Sequence, residues 1–245
     1  MCGFAGFVGE VENREQVLEN MIDTIIHRGP DSSGKFVDED AALGFRRLSI
    51  IDLSESGDQP LYNEDRSKVL VFNGEIYNYQ ELREELIQAG HTFVSNTDSE
   101  TLIHGYEQWG EELVYRLRGM YAFAIWDQKA KRLFSARDIF GIKPLYYAQM
   151  NGTLMFGSEI KSFLEHPKFD KVFNEDALGN YLSFQFVPTN ETFFKGVFCV
   201  QPGHYFVYEN GKMTIKRYFE PNFTGDTTKS FEEVVDDIEK VMKES

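Results

Sequence analysis

A cysteine stands at position 2, behind Met1 and ahead of Gly3. Removal of Met1 would put a thiol and an α-amine on one residue. An α-amine has an unperturbed pKa of about 7.7–8.0, so near neutral pH part of it is unprotonated. It can take the thiol's proton, directly or through a water. Nucleophile and base then come from a single position, which is what acyl transfer needs. The condition is strict: while Met1 is attached, the nitrogen of Cys2 is an amide and cannot act as base. By itself, Met-Cys-Gly also fits a small buried side chain on a first strand.

A tetrahedral acyl-transfer intermediate needs hydrogen-bond donors aimed at its oxyanion. Asn73-Gly74 follows the apolar run Val69–Phe72 and offers two donors, a side-chain NH2 and a backbone N–H. Asn-Gly is also a turn signal, but the following Glu75-Ile76-Tyr77-Asn78-Tyr79 does not alternate as a hairpin's return strand would. Arg46-Arg47 lies in a strand-like stretch, where neighbouring side chains face opposite sides, so only one of the pair can enter a given site. A guanidinium fork there suits a substrate carboxylate. Glu75 and Asp98 are candidates for a substrate ammonium, and Asp98 fits equally well as a helix N-cap.

The elements that must position these groups read as follows. Gly3 to Gly9 is a strand. Asn13 caps a helix in which Val17, Leu18, Met21, Ile22 and Ile25 recur at helical spacing, closed by Gly29-Pro30. Phe45–Ile51 and Val69–Phe72 are strand-like. Asn78 with Glu81 is a capping box opening a second helix that ends at Gly90. A third helix starts near Asp98 or Ser99 and runs to Trp109-Gly110. Ala122–Trp126, Leu133–Ala136, Leu145–Met150 and Thr153–Phe156 are short aromatic-rich strands, with a hairpin signal at Asn151-Gly152 and another at Asn210-Gly211. Helices in the first half and hairpins in the second predict an α+β fold. Ser230 with Glu233 marks a last helix whose stripe of Phe231, Val234, Val235, Ile238, Val241 and Met242 has nothing in the chain to bury it. Residues 221–229 read as the linker before it.

The 245 residues are 42% hydrophobic and 15% aromatic, with 22 Phe and 12 Tyr, enough for a large core. A net charge of −15 argues against nucleic acid as partner. No apolar run is long enough to span a membrane, no secretory signal opens the chain, and two distant Cys make no disulfide framework. The expectation is a cytoplasmic protein, with no membrane partner. The five His, at 27, 91, 104, 166 and 204, have no paired metal-ligand spacing. No metal site is expected, His104 is read as structural and Cys199 as core. Asp138 is either a loop cap or a contact to a further domain.

Seven segments occur in order: Met1-Cys2-Gly3-Phe4-Ala5-Gly6, His27-Arg28-Gly29-Pro30-Asp31, Arg47-Leu48-Ser49-Ile50-Ile51-Asp52, Asn73-Gly74-Glu75-Ile76-Tyr77-Asn78, Gly119-Met120-Tyr121-Ala122-Phe123-Ala124, Arg137-Asp138 with Gly141-Ile142-Lys143-Pro144-Leu145-Tyr146-Tyr147, and Ser158-Glu159-Ile160-Lys161. Together they resemble the glutaminase domain of glutamine-hydrolysing asparagine synthetases over roughly residues 1–220. The resemblance implies a four-layer αββα sandwich of the N-terminal nucleophile hydrolases, with two facing antiparallel sheets. It implies Cys2 as nucleophile, Asn73 and Gly74 as oxyanion donors, Arg47 as carboxylate clamp, and Glu75 and Asp98 as binders of the glutamine α-amine. Partners would be L-glutamine and a C-terminal synthetase domain of the same polypeptide, with room for a homodimer. The family's Ser-Gly-Gly-x-Asp-Ser phosphate loop is absent, and so is Gly-x-x-x-x-Gly-Lys. ATP and Mg are therefore expected only for the domain beyond this chain, and this chain itself needs no cofactor. A different carboxylate acceptor, such as a cell-wall precursor, and a non-catalytic docking module are the competing readings. Domain limits of 2–220 and 221–245 follow.

Overall fold

The computed structural model describes residues 2–48, 57–225 and 228–244. Its strands form two six-stranded sheets in which the paired neighbours run antiparallel. In the first sheet, β1 (Gly3–Val8) lies between β3 (Ala41–Arg47) and β9 (Thr153–Gly157). Beyond them stand β2 (Ser32–Val37) on one side and β8 (Tyr146–Met150) and β10 (Val197–Cys199) on the other. In the second sheet β5 (Lys68–Ile76) pairs with β6 (Gly119–Asp127), followed by β7 (Arg132–Arg137), β11 (His204–Glu209) and β12 (Lys212–Arg217). The two-residue β4 (Leu61–Tyr62) covers only the first part of the other edge of β5, against Leu70 and Val69.

Side-chain alternation along the strands sorts the core into three slabs. Phe4 and Val8 of β1, Leu43 and Phe45 of β3, and Val69 and Val71 of β5 meet between the sheets. Ala5, Phe7 and Ala42 face the other way and pack under Val17, Leu18, Met21 and Ile22 of α1 (Arg14–Asp23). Leu70, Phe72 and Phe123 pack under Leu82 of α2 (Tyr79–Gln88) and Leu102, Ile103 and Tyr106 of α3 (Asp98–Trp109). The layers are thus helix, sheet, sheet, helix, as expected.

Both hairpin signals form tight turns: Asn151 and Gly152 have φ of 50° and 76°, and Asn210 and Gly211 have 51° and 73°. Ser230 and Glu233 cap α5 (Phe231–Glu244) reciprocally, with the Ser230 N–H on Glu233 Oε2 at 2.7 Å and the Glu233 N–H on Ser230 Oγ at 3.2 Å. Two expected caps are absent. Asn13 adopts the left-handed conformation (φ 52°) and its side chain caps nothing. Asn78 bonds across to the segment leading into β6, donating to the Arg116 carbonyl at 2.9 Å and accepting the Arg118 N–H at 2.9 Å.

The strand expected over Phe45–Ile51 begins earlier, at Ala41, and its last residues lie outside those described. β2, β4, β10 and α4 (Glu175–Phe184) carry no strong periodic signal; α4 also breaks the expected segregation of helices into the first half. Asp138 is a loop cap: it is buried and accepts the N–H groups of Tyr121, Phe140, Ile142 and Lys143. Cys199 is half-buried beside the Arg137 guanidinium at 3.0 Å rather than in the core. None of the helices among the described residues is long and apolar enough to cross a membrane.

Candidate functional site

Three strands deliver three side chains to one end of the space between the sheets. Cys2 immediately precedes β1 and shares the parity of Phe4, so it continues the inward row and packs against the inter-sheet core. Arg47 continues the row of Leu43 and Phe45. Arg46 points the other way, over α1, where it bonds the Ile22 carbonyl at 3.2 Å and pairs with Asp23. Asn73 continues the row of Val69 and Val71 from the facing sheet. The alternation rule therefore separates the Arg pair, and Arg47 is the one turned inward.

These rows end in a cavity of about 340 Å³, at the small end of the range for small-molecule sites. Cys2, Arg47, Asn73, Gly74, Glu75 and Asp98 all line it. The six residues singled out in the sequence are thus brought together by β1, β3, β5 and the start of α3.

Asn73 is 1% exposed, and its Nδ2 has no hydrogen-bond partner among the described residues. A buried amide donor left unpaired costs about 1–3 kcal/mol, and this one belongs to a residue that lines the cavity. Gly74 sits inside β5 opposite Tyr121, not in a turn. A Cβ there would lie 2.2 Å from the Met120 carbonyl oxygen, a backbone atom that cannot give way. Backbone N–H groups alternate between the edges of a strand. The Tyr77 N–H goes to Arg118 O on the β6 side at 2.7 Å, so those of Phe72, Gly74 and Ile76 face the opposite edge. Gln59 occupies that edge at Phe72, accepting its N–H at 2.6 Å and donating to its carbonyl at 3.2 Å. Asp98 occupies it at Ile76, accepting that N–H at 2.8 Å. The Gly74 N–H lies between these two, turned to the cavity.

Arg47 is buried and pairs with Asp58 at 2.8 Å, which shows the fork accepting a carboxylate. Asp98 opens α3 behind Thr97, in the first turn rather than at the cap. Burial, chiefly, and the nearby charge of Glu75 push its carboxyl up to about 6, against the opposing pull of the Ile76 and Ser99 N–H groups. Among the described residues, no Lys or Arg pairs with it. The Cys2 sulfur accepts the Leu48 N–H at 3.3 Å and lies 3.5 Å from the Leu48 carbonyl.

Two supporting residues escaped the residue-by-residue reading. The Arg28 guanidinium holds the Cys2 carbonyl at 2.9 Å and pairs with Glu159 at 3.0 Å. Its signal was the charged His27-Arg28 just before Gly29-Pro30. Gln59 takes the place of an edge strand, and no pattern in the sequence marks it.

A family model described as a glutamine amidotransferase domain matches residues 1–219. Asparagine synthetase (glutamine-hydrolyzing) 1 of Bacillus subtilis (strain 168) is 46% identical over 229 residues, covering 91% of this chain and 36% of that protein. Amidase chyE of Penicillium rubens is 36% identical over 262 residues, covering 100% of this chain and 38% of that protein. The chain spans a little over a third of the length of these relatives. Among solved structures, glutamine phosphoribosylpyrophosphate amidotransferase from B. subtilis superposes with a TM-score of 0.66 at 21% identity, over 90% of this chain and 50% of that one. At that identity the likeness is one of fold.

Proposed function

Because this chain belongs to the glutamine amidotransferase domain family, we propose that its cavity hydrolyses L-glutamine to glutamate and ammonia through a thioester on Cys2. Its layers are those of the N-terminal nucleophile hydrolases. The observation that carries the reading is the unpaired, buried Nδ2 of Asn73, set in one cavity with Cys2.

The charged end of glutamine is fixed first. Arg47 takes the α-carboxylate, and Asp98 with Glu75 takes the α-ammonium, which supplies the cation that Asp98 lacks. The amide end then reaches Cys2. Once Met1 is gone, the α-amine of Cys2 accepts the thiol proton, and the thiolate attacks the side-chain carbonyl carbon. The carbonyl electrons move onto oxygen, where Asn73 Nδ2–H and Gly74 N–H receive them. As the intermediate collapses, the α-ammonium returns its proton to the leaving nitrogen and ammonia departs. Water adds to the γ-glutamyl thioester with the same amine as base, giving glutamate and the free thiol.

The ammonia is proposed to serve asparagine synthesis, as the name of the Bacillus subtilis relative suggests, by ATP- and Mg-dependent amidation of aspartate in a synthetase domain. That domain would follow residues 2–220, with 221–245 as linker and first helix. In support, Phe231, Ile238, Val241 and Met242 of α5 are exposed on one stripe. Leu182, Phe184 and Phe186, in and just after α4, are exposed as well.

The test is ammonia release from glutamine by the Met1-trimmed chain, with Cys2→Ala as comparison. Activity confined to the parent supports the reading, and equal activity in both refutes it. Intact-mass measurement after a glutamine-like thiol alkylator adds a second readout. One adduct is expected on the trimmed parent and none on Cys2→Ala.

A further inference from the structure

Four side chains from three segments meet beside α3. Glu64 comes from the turn between β4 and β5, His91 from just past α2, and His104 and Glu107 from adjacent turns of α3. One ligand atom from each lies within 4.8 Å of the others. His104 Nδ1 is 3.2 Å from Glu107 Oε2 and 3.5 Å from Glu64 Oε2. His91 Nδ1 is 3.8 Å from Glu64 Oε1 and 3.9 Å from Glu107 Oε2. A tetrahedral ion with bonds of about 2.0–2.1 Å would hold its ligand atoms roughly 3.3 Å apart, so only small side-chain movements separate this cluster from a coordination shell.

The surroundings orient the same atoms inward. His91 Nε2 faces Gln108 Oε1 at 3.3 Å. His104 is 1% exposed, and its Nε2 faces Glu100 Oε1 at 3.5 Å without forming a well-made hydrogen bond. His104 Nδ1 donates to Glu107 Oε2 at 3.2 Å, so an ion entering the cluster would displace that proton, leaving the Nδ1 lone pair for the ion and Nε2–H facing Glu100. A carboxylate behind a ligating imidazole is the usual second shell of a bound metal. Glu107 has one oxygen engaged by Asn63 Nδ2 at 2.7 Å, and Glu64 has one engaged by the Thr92 N–H at 3.2 Å. Each keeps its Oε2 for the centre.

We propose that Glu64, His91, His104 and Glu107 bind a divalent transition-metal ion, zinc foremost, which ties α3 to the β4–β5 turn and the end of α2. Two imidazole nitrogens and two carboxylate oxygens suit a borderline ion. Calcium and magnesium favour all-oxygen shells. Without an ion, positive charge comes from Lys68, 3.9 Å from Glu107, and from a proton on His104. Burial lowers the pKa of His104, but Glu100, Glu107 and Glu64 outweigh it and raise the value to about 9. Histidine spacing along the chain shows no sign of this cluster, because its two histidines belong to different elements.

The experiment uses the whole chain carrying Cys2→Ser, which removes the competing N-terminal thiol, after treatment with a chelator. Titration calorimetry with Zn²⁺ alone should give one ion per chain, with a large excess of Mg²⁺ failing to compete. His91→Gln and Glu64→Gln change partly exposed side chains and should each weaken binding by at least about tenfold. Circular dichroism should show both variants folded. Co²⁺ should give the strong visible absorption of a four-coordinate site in the parent and lose it in both variants. Absence of binding overturns the proposal, and so does binding that neither variant weakens. A weakly absorbing, six-coordinate Co²⁺ spectrum overturns it too.

Discussion

Asp98 and Glu100 stand two residues apart in the first turn of α3, and their carboxyls respond in opposite directions. Asp98 faces the cavity, and burial with the neighbouring Glu75 lifts it to about 6. Glu100 is buried too, which also pushes it up. But His104, the Ser95 hydroxyl and the N–H groups of Val94 and Ser95 outweigh burial and hold it below its ordinary value. One helix end therefore carries a carboxylate whose needs are met by the protein and another whose needs are not. Asn73 belongs with Asp98: it too is buried with a polar atom unmatched. Asn73 and Asp98 both line the cavity, where a ligand can complete them, whereas Glu100 ties the start of α3 to Val94 and Ser95.

The comparison breaks most visibly at Asn73. Asn73→Ala should lower kcat for glutamine hydrolysis about 10²–10³-fold, equivalent to about 2.7–4 kcal/mol, with melting temperature unchanged or raised. A large loss of stability with activity intact would reverse its assignment. Glu100→Gln should do the opposite. It removes the charge that Ser95, Val94 and His104 share, and should lower unfolding free energy by about 1–3 kcal/mol in a denaturant titration, with kcat per folded molecule unchanged.

Acidity sharpens the contrast. The folded-state pKa of Asp98, about 6, lies above the unfolded value of about 3.9. Its contribution to stability is thus fully present below about pH 4 and gone above about pH 6. Glu100, held low, contributes above its unfolded pKa of about 4.3 and loses that contribution as the pH falls through its folded value. Glutamine binding to Cys2→Ala, measured by calorimetry to keep chemistry out of the signal, should weaken about fivefold between pH 6 and pH 5. In Cys2→Ala with Asp98→Asn that step should vanish. The smallest effect expected is on stability: above pH 6, Asp98→Asn should melt no lower than the parent, because the charged form it replaces is disfavoured by burial.

Much of this molecule is written locally. The apolar runs of β1, β5 and β6 and the Asn-Gly turns are visible because burial on both faces, or a positive φ, constrains residue type position by position. Asn13 and Asn78 mark the limit of that legibility. Asn is compatible with a cap, but whether it caps depends on which carbonyls and N–H groups lie nearby. For Asn78 those belong to Arg116 and Arg118, far along the chain. β2 opens on Ser-Ser-Gly-Lys, which carries no apolar row, and β4 is only two residues long, so neither is announced by its sequence.

By itself the sequence determined that a cysteine could bring its own base, that Asn73-Gly74 offered two donors, and that only one of Arg46 and Arg47 could enter a site. Each follows from covalent chemistry or from the period of a strand. Only the tertiary structure decided that the inward rows of β1, β3 and β5 end in one cavity, that Gln59 and Asp98 occupy the edge on either side of the Gly74 N–H, and that His91 and His104 come together at all. Those are juxtapositions between distant segments, set by how sheets stack and helices cover them, and no local pattern encodes a distance between segments that first meet on folding.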